Sequence, residues 1–186
     1  MNLKGQVAIV TGGARGIGKA ISQSLAQAGA HLVISDVNLN EAQQTAGELA
    51  VGDVKCLAVE VNVTDGKAVA EMADRVVKEF GRIDILINNA GITRDGLLVR
   101  MKEEDWDLVL NVNLKGAFHC TKSVLPVMTK NRRGRIVSIA SVVGVMGNAG
   151  QSNYAASKAA IIRLVWTVAI SSSVAGTVSN HLRALA

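Results

Sequence analysis

Val7-Ala8-Ile9-Val10-Thr11-Gly12-Gly13-Ala14-Arg15-Gly16-Ile17-Gly18 is the stretch that decides the fold. Its first four residues are apolar without alternation, which is how a strand covered on both faces reads. Gly12, Gly16 and Gly18 then punctuate a turn, and a helical pattern runs on to about Ala28. A strand that turns through glycines into a helix leaves free N–H groups and the positive end of the helix dipole at the turn. Without side chains there, a pyrophosphate can approach the backbone. The glycine pattern gains weight from this strand-to-helix context; the alternative is an ordinary glycine turn.

Outward from that turn the same alternation repeats. Further apolar runs lie at Leu32–Ser35, Val54–Val61, Ile83–Ile87 and Arg135–Ile139. Helical patterns separate them at Leu39–Ala50, Asp65–Phe80, Lys102–Lys130 (broken near Asn113) and Ser152–Ala169. This order predicts an α/β fold: a three-layer, Rossmann-type, doubly wound parallel sheet in one dinucleotide-binding domain spanning residues 1–186. Strand and helix follow one another without a linker, repeat or low-complexity segment.

Composition narrows the function classes. Of the 186 residues, 49% are hydrophobic and 19% charged, which excludes a disordered chain. A net charge of +5 suits acidic ligands, yet five aromatic residues with no basic–aromatic interleaving argue against nucleic-acid binding. Cys56 and Cys120 have neither metal-ligand nor disulfide-framework spacing, so no metal site is expected and both read as buried reduced thiols. The start of the chain lacks the layout of a signal peptide, and no apolar run approaches the ~18 residues of a membrane span. A soluble, cytoplasmic protein is expected.

Asp36 ends the second strand, 18 residues after Gly18. A carboxylate there can accept hydrogen bonds from ribose hydroxyls and would repel a 2′-phosphate, which favours NAD(H). Arg15 pulls the other way, because a guanidinium in the turn could pair with that phosphate and admit NADP(H). Tyr154, the only tyrosine, and Lys158 stand four apart and share a helix face. A neighbouring ammonium favours phenolate, so such a tyrosine can exchange a proton near neutral pH. Alone, the pair reads as a solvent-facing one. Ser141 just past the fifth strand, Asn113 in the polar break and the glycine turn together shift the reading to a site.

At this point the sequence resembles the short-chain dehydrogenase/reductase family. The resemblance rests on Thr11 to Gly18, Asn88-Asn89-Ala90-Gly91, Asn113, Ser141 and Tyr154-Ala155-Ala156-Ser157-Lys158, and covers about residues 1 to 168. Within the family the chain looks most like the 3-oxoacyl-(acyl-carrier-protein) reductases of fatty-acid synthesis. Asn88 to Asp95, Ser141 to Asn148 and Gln151 to Tyr154 carry that closer likeness. The resemblance implies that Tyr154 protonates the substrate carbonyl while hydride arrives from the nicotinamide. It implies that Lys158 tunes Tyr154 and bonds the nicotinamide ribose, that Ser141 stabilises the oxyanion, and that Asn113 holds a water feeding protons through Lys158. Thr11, Gly12, Gly13, Arg15, Gly16, Ile17 and Gly18 would form the cofactor turn. Asn89, Ala90 and Gly91 would line the adenosine side, with Asn62 and Val63 on adenine. Gln151 would contact substrate. Arg132 would contact an acidic acyl carrier protein, within a basic patch that includes Arg133 and Arg135; a solvated helix end is the plainer reading of that patch. A homotetramer is implied, with a two-fold interface between the Lys102–Lys130 and Ser152–Ala169 helices.

The tail departs from this pattern. Residues 170–186 lack the family's sixth strand, its Pro-Gly segment, its substrate lid and its last strand, and Pro126 is the chain's single proline. The tail reads as aberrant, by frame shift or otherwise: the codons for 179–186 can encode Ala-Ile-Thr-Phe-Ala-Pro in a neighbouring frame. The sheet is then expected to stop at its fifth strand with that edge open, and the assembly to shrink to a dimer. Two other readings stay open: a related alcohol, sugar or hydroxysteroid dehydrogenase, and a catalytically impaired cofactor-binding module.

Overall fold

A computed structural model describes residues 2–171 and 178–183, with side chains described as far as residue 164. The chain alternates strand and helix: β1 Val7–Thr11, α1 Gly16–Gln27, β2 His31–Asp36, α2 Leu39–Leu49, β3 Cys56–Glu60, α3 Gly66–Phe80 and β4 Ile85–Asn88. Then follow a 3₁₀ turn at Leu98–Arg100, α4 Glu103–Leu110, a π-helical turn Asn111–Lys115, α5 Gly116–Lys130, β5 Gly134–Ile139, α6 Val143–Met146, α7 Ser152–Ser171 and β6 Val178–Arg183. All pairings are parallel, in the order β3-β2-β1-β4-β5-β6. The order reverses between β1 and β4, and a crevice opens there at the carboxyl ends of the strands.

The central strands carry apolar side chains to both faces. On one face Ile9, Val33, Leu86 and Ile136 pack with Val69, Met72 and Val76 of α3 and with Cys120, Val124 and Met128 of α5. On the other, Val10, Leu32, Ile34 and Ile87 pack against Ala42 and Ala46 of α2 and the α1 side chains Ile21 and Leu25. Two cores on one sheet make three layers and explain why these strands read as unbroken apolar runs. Side-chain caps start two of the helices: Asn38 accepts from Glu41 N, and Asp65 accepts from Lys67 N and Ala68 N. Gly81, at φ 75°, ends α3 in the left-handed conformation that glycine takes without cost.

Two expectations change. The expected break near Asn113 is no interruption: α4 passes into α5 through a widened π turn. The sheet does not stop at β5. Six residues of the tail lie parallel along it, from Gly134↔Val178 to Ile139↔Arg183. Pairing uses main-chain groups that every non-proline residue carries, so a strand can form there whatever its side-chain pattern. The rest of the tail, 172–177 and 184–186, on which the expectation of an aberrant segment also falls, lies outside the described residues.

Candidate active site

A cleft of about 650 Å³ runs along the carboxyl ends of β1, β2 and β4 and ends against α7. It is within the usual size of a small-molecule site. The glycine turn forms one wall. A Cβ on Gly18 would stand 2.0 Å from the Gly12 carbonyl oxygen, so the start of α1 can lie against the turn only as bare backbone. Gly16 adopts φ 53° and a Cβ there would meet nothing within 4 Å, which leaves open space beside the turn. Arg15 precedes α1 without a side-chain cap, so the first N–H groups of the helix remain available to an anion. This bare cradle fits the pyrophosphate of a dinucleotide.

The members of the turn divide by task. Gly12, Arg15, Ile17 and Gly18 line the cleft; Thr11, Gly13 and Gly16 do not. Thr11 is buried, donates to Ile87 O at 3.1 Å and accepts from Asn89 N and Ala90 N, tying the end of β1 to the end of β4. Gly13 tucks under the turn, where a Cβ would come within 2.8 Å of Val10 O. Both lie behind the lining residues and support the turn from beneath. Asn89 lines the cleft, with its amide donating to Thr11 O and Gly12 O at 2.9 and 3.0 Å. Asp36 stands at the far end, its carboxylate accepting from Ala14 N and Asn38 N. The Arg15 side chain is 83% exposed and leans toward Glu41 at 3.8 Å. Asn62 turns Oδ1 back onto Thr64, and Val63 beside it is held through its carbonyl by His119 Nδ1 at 3.0 Å.

Tyr154 and Lys158 face the other end of the cleft from α7, with Lys158 Nζ 5.6 Å from the centre of the Tyr154 ring. Lys158 is 4% exposed and donates to Ile139 O at 2.6 Å. Burial pulls its ammonium down from 10.5 to about 8. Ser141 follows β5, and its Oγ accepts from Val143 N at 3.2 Å. Ser141 is not part of the cleft lining; it stands two residues past Ile139, which is.

Asn113 sits in the π turn with 1% exposure. Its Oδ1 accepts from Ile92 N at 2.8 Å, and its Nδ2 donates to Ile92 O and Ser157 Oγ, each at 3.0 Å. Both amide hydrogens and one lone pair are therefore taken. The side chain is a clamp on Ile92, and a water on it has only the second lone pair of Oδ1 to use.

Gln151 and Arg132 are not brought to the cleft. Gln151 donates to Asp95 Oδ2 and accepts from Asn148 Nδ2, clasping two loops together. Arg132 lies in the turn before β5, at the opposite end of the sheet from the cleft, with φ 49°. Arg133 beside it reaches toward Asp84 at 4.0 Å. Sequence reasoning missed Val37, Val61, Ile92, Thr93, Val112 and Ile139 as lining residues. Three of them directly adjoin predicted positions (Asp36, Asn62, Gly91) and one directly precedes Asn113, which is the signal that could have found them. Among the described residues no group of three His, Cys, Asp or Glu side chains is placed to hold a metal, and no helix is long and apolar enough to cross a membrane. Burial pushes the free thiols of Cys56 and Cys120 up to about 11 and about 12.

A parallel sheet with a bare glycine turn at its switch point and a tyrosine–lysine pair across the same cleft defines a nucleotide-dependent oxidoreductase. The family model described as short chain dehydrogenase matches residues 6–178, and the chain belongs to that family, an NAD(P)-dependent oxidoreductase by membership. Among similar proteins is the 3-oxoacyl-[acyl-carrier-protein] reductase FabG of Thermotoga maritima, 50% identical over 167 residues, 90% of this chain and 68% of the relative. The protein of that name from Escherichia coli (strain K12) is 46% identical over 162 residues, 87% of this chain and 65% of the relative. The 3-oxoacyl-[acyl-carrier-protein] reductase of Synechocystis is 46% identical over 168 residues, 90% of this chain and 68% of the relative. The chain thus spans about two thirds of the length of these curated relatives.

Proposed function

We propose that the chain reduces the keto group of a 3-oxoacyl thioester on acyl carrier protein to the hydroxyl, in the cytoplasm, with NADH in preference to NADPH. The observation that carries the reading is one cleft holding a bare glycine turn at one wall and the Tyr154–Lys158 pair at its end. Relatives at 44–50% identity bear that activity in their names.

The residues divide the work as follows. A bound nicotinamide supplies the hydride to the keto carbon. Tyr154 donates its phenolic proton to the keto oxygen, so carbonyl, hydride and proton become an alcohol. Lys158, whose ammonium burial brings to about 8, returns a proton to Tyr154. Ser141 Oγ already accepts from Val143 N, which leaves its own hydrogen to donate to the developing oxyanion. Asp36 favours NADH: its carboxylate, held by two backbone N–H groups, meets a free ribose hydroxyl well and a 2′-phosphate badly. Arg15, drawn toward Glu41, does little to offset it.

A homo-oligomer is part of the proposal. An apolar groove between α5 and α7, lined by Phe118, Leu125, Pro126 and Leu164, supports the two-fold interface expected of these helices.

The test is oxidation of NADH and of NADPH with an acetoacetyl thioester, by the parent chain and by Tyr154→Phe. Turnover should fall on the order of 10²-fold or more in the variant, the range for loss of a positioned proton donor. Equal turnover in the variant overturns the role of Tyr154, and faster use of NADPH overturns that of Asp36.

A further inference from the structure

We infer that Asn153, which touches neither the cleft nor any reacting group, is a positioning residue that sets Tyr154 against the segment Ile92–Arg94. The inference rests on the functional reading above, because it concerns the same site.

The start of α7 poses a hydrogen-bonding problem. Tyr154 lies in the first turn of the helix, where N–H groups have no partner within the helix. The carbonyl four residues back, on Gly150, lies before the helix and pairs with Gly96 N at 2.8 Å. Asn153 resolves this with its own side chain: Oδ1 accepts from Tyr154 N at 2.7 Å. The same amide donates from Nδ2 to Arg94 O at 2.9 Å and, more weakly at 3.4 Å, to Asp105 O. Asn153 is 0% exposed, and both ends of its amide are used.

One buried side chain thus joins three backbones: the helix that carries Tyr154, the loop after β4 and the end of the first turn of α4. A second path runs parallel. Ser157 Oγ donates to Tyr154 O at 2.8 Å and accepts from Asn113 Nδ2, and Asn113 clamps Ile92. The main chain of Tyr154 is therefore held at its N–H and at its carbonyl, each time through a side chain tied to the 92–94 segment. Ile92 and Thr93 line the cleft beside Tyr154. Proton transfer depends steeply on such placement, since a displacement near 1 Å can cost about 10²-fold in rate. A plain helix cap would need the Tyr154 N–H contact alone. The donor side of the amide, aimed at Arg94 O, is what marks Asn153 as a gauge between two walls of the site.

The test uses the full chain, with Asn153→Ala and Asn153→Ser. Serine offers a short hydroxyl that can cap Tyr154 N–H but cannot reach Arg94 O, so it separates the two tasks. Kd for NADH by calorimetry, kcat and KM with an acetoacetyl thioester, and the ring resonance of ¹³C-labelled tyrosine are measured. The chain has one tyrosine, so the last signal belongs to Tyr154 alone. The expected result is a kcat lowered on the order of ten- to a hundredfold in both variants, with Kd for NADH within about threefold of the parent and a displaced tyrosine resonance. Recovery of parental kcat and resonance in Asn153→Ser would make the residue a helix cap and overturn the inference. So would an unmoved resonance in both variants, or kcat and Kd falling together. If the alanine variant does not fold, the serine variant decides by the same criteria. A parent chain inactive on the thioester, with the resonance displaced in the variants, would sink the functional reading and leave the role of Asn153 standing.

Discussion

Lys158 shows how one buried side chain writes a pH dependence into stability. Its ammonium titrates at about 8 in the folded chain against 10.5 when unfolded, because burial penalises the charge. Between those values the unfolded chain binds more protons, so this residue's contribution rises with pH; it is complete above 10.5 and lost as pH falls through 8. Cys56 and Cys120 act oppositely, since burial raises both above 9.0, and their contribution declines as pH climbs past that value. The difference between parent and Lys158→Met isolates the lysine. Urea unfolding of the apo chain should show that difference growing from pH 8 to 10.5, by on the order of 3 kcal/mol at about 1.4 kcal/mol per unit. A flat difference would contradict it. Gly18 makes a steric prediction at the same scale. Gly18→Ala sets a methyl 2.0 Å from Gly12 O, and backbone must move to admit it. NADH affinity should fall at least about tenfold, roughly 1.4 kcal/mol, in calorimetry.

At the scale of elements, the sheet is pinned at the end away from the cleft. Asp84 is 3% exposed and sits just before β4. Its carboxylate accepts from Val7 N at 2.9 Å and from Arg82 Nε and Nη2 at 2.7 and 2.6 Å, so it joins the starts of β1 and β4. Asp84→Ala strands a buried N–H and releases Arg82, which still reaches water. The cost should be about 2–3 kcal/mol in urea unfolding, with little change in Kd for NADH because the cleft is at the far end. The contact of α6 with α7 works at the opposite end. A Cβ on Gly144 would meet Ala159 N and the Lys158 carbonyl carbon at 2.8 Å, so α6 can lie on the helix that carries Tyr154 and Lys158 only through glycine.

For the whole molecule, the distance between Arg132 and the cleft is the telling feature. The basic patch and the Tyr154 end of the cleft lie at opposite ends of β5. The groove on α5 and α7 makes the oligomer testable. Phe118, 44% exposed, is its most prominent apolar side chain. Phe118→Glu should reduce the sedimentation coefficient to that of the monomer at micromolar concentration, whereas the parent sediments as a dimer or larger. Identical sedimentation would place the interface elsewhere.

The layer architecture was readable from the chain because burial on both faces demands unbroken Val/Ile/Leu runs, and the glycine turn because Gly18 can lie against the Gly12 carbonyl only as bare backbone. Tyr154 and Lys158 were legible for a similar reason: helical spacing alone places them on one face. What tertiary structure decided was the partner of each polar side chain. Asn113 became a clamp on Ile92, Gln151 a clasp to Asp95, and Thr11 a tie beneath the turn, because each met a backbone or side-chain group 21 to 78 residues away in sequence. Asn153 carries no periodic signal at all; its place follows from the unpaired N–H of Tyr154 in the first helical turn and the carbonyl of Arg94, 59 residues away in sequence. The sixth strand was hidden likewise, since main-chain pairing along β5 asks nothing of side-chain pattern. Local chemistry determined which elements form and what the turn can hold. Long-range hydrogen bonding, which depends on where distant segments come to rest, determined what most of the polar site residues touch.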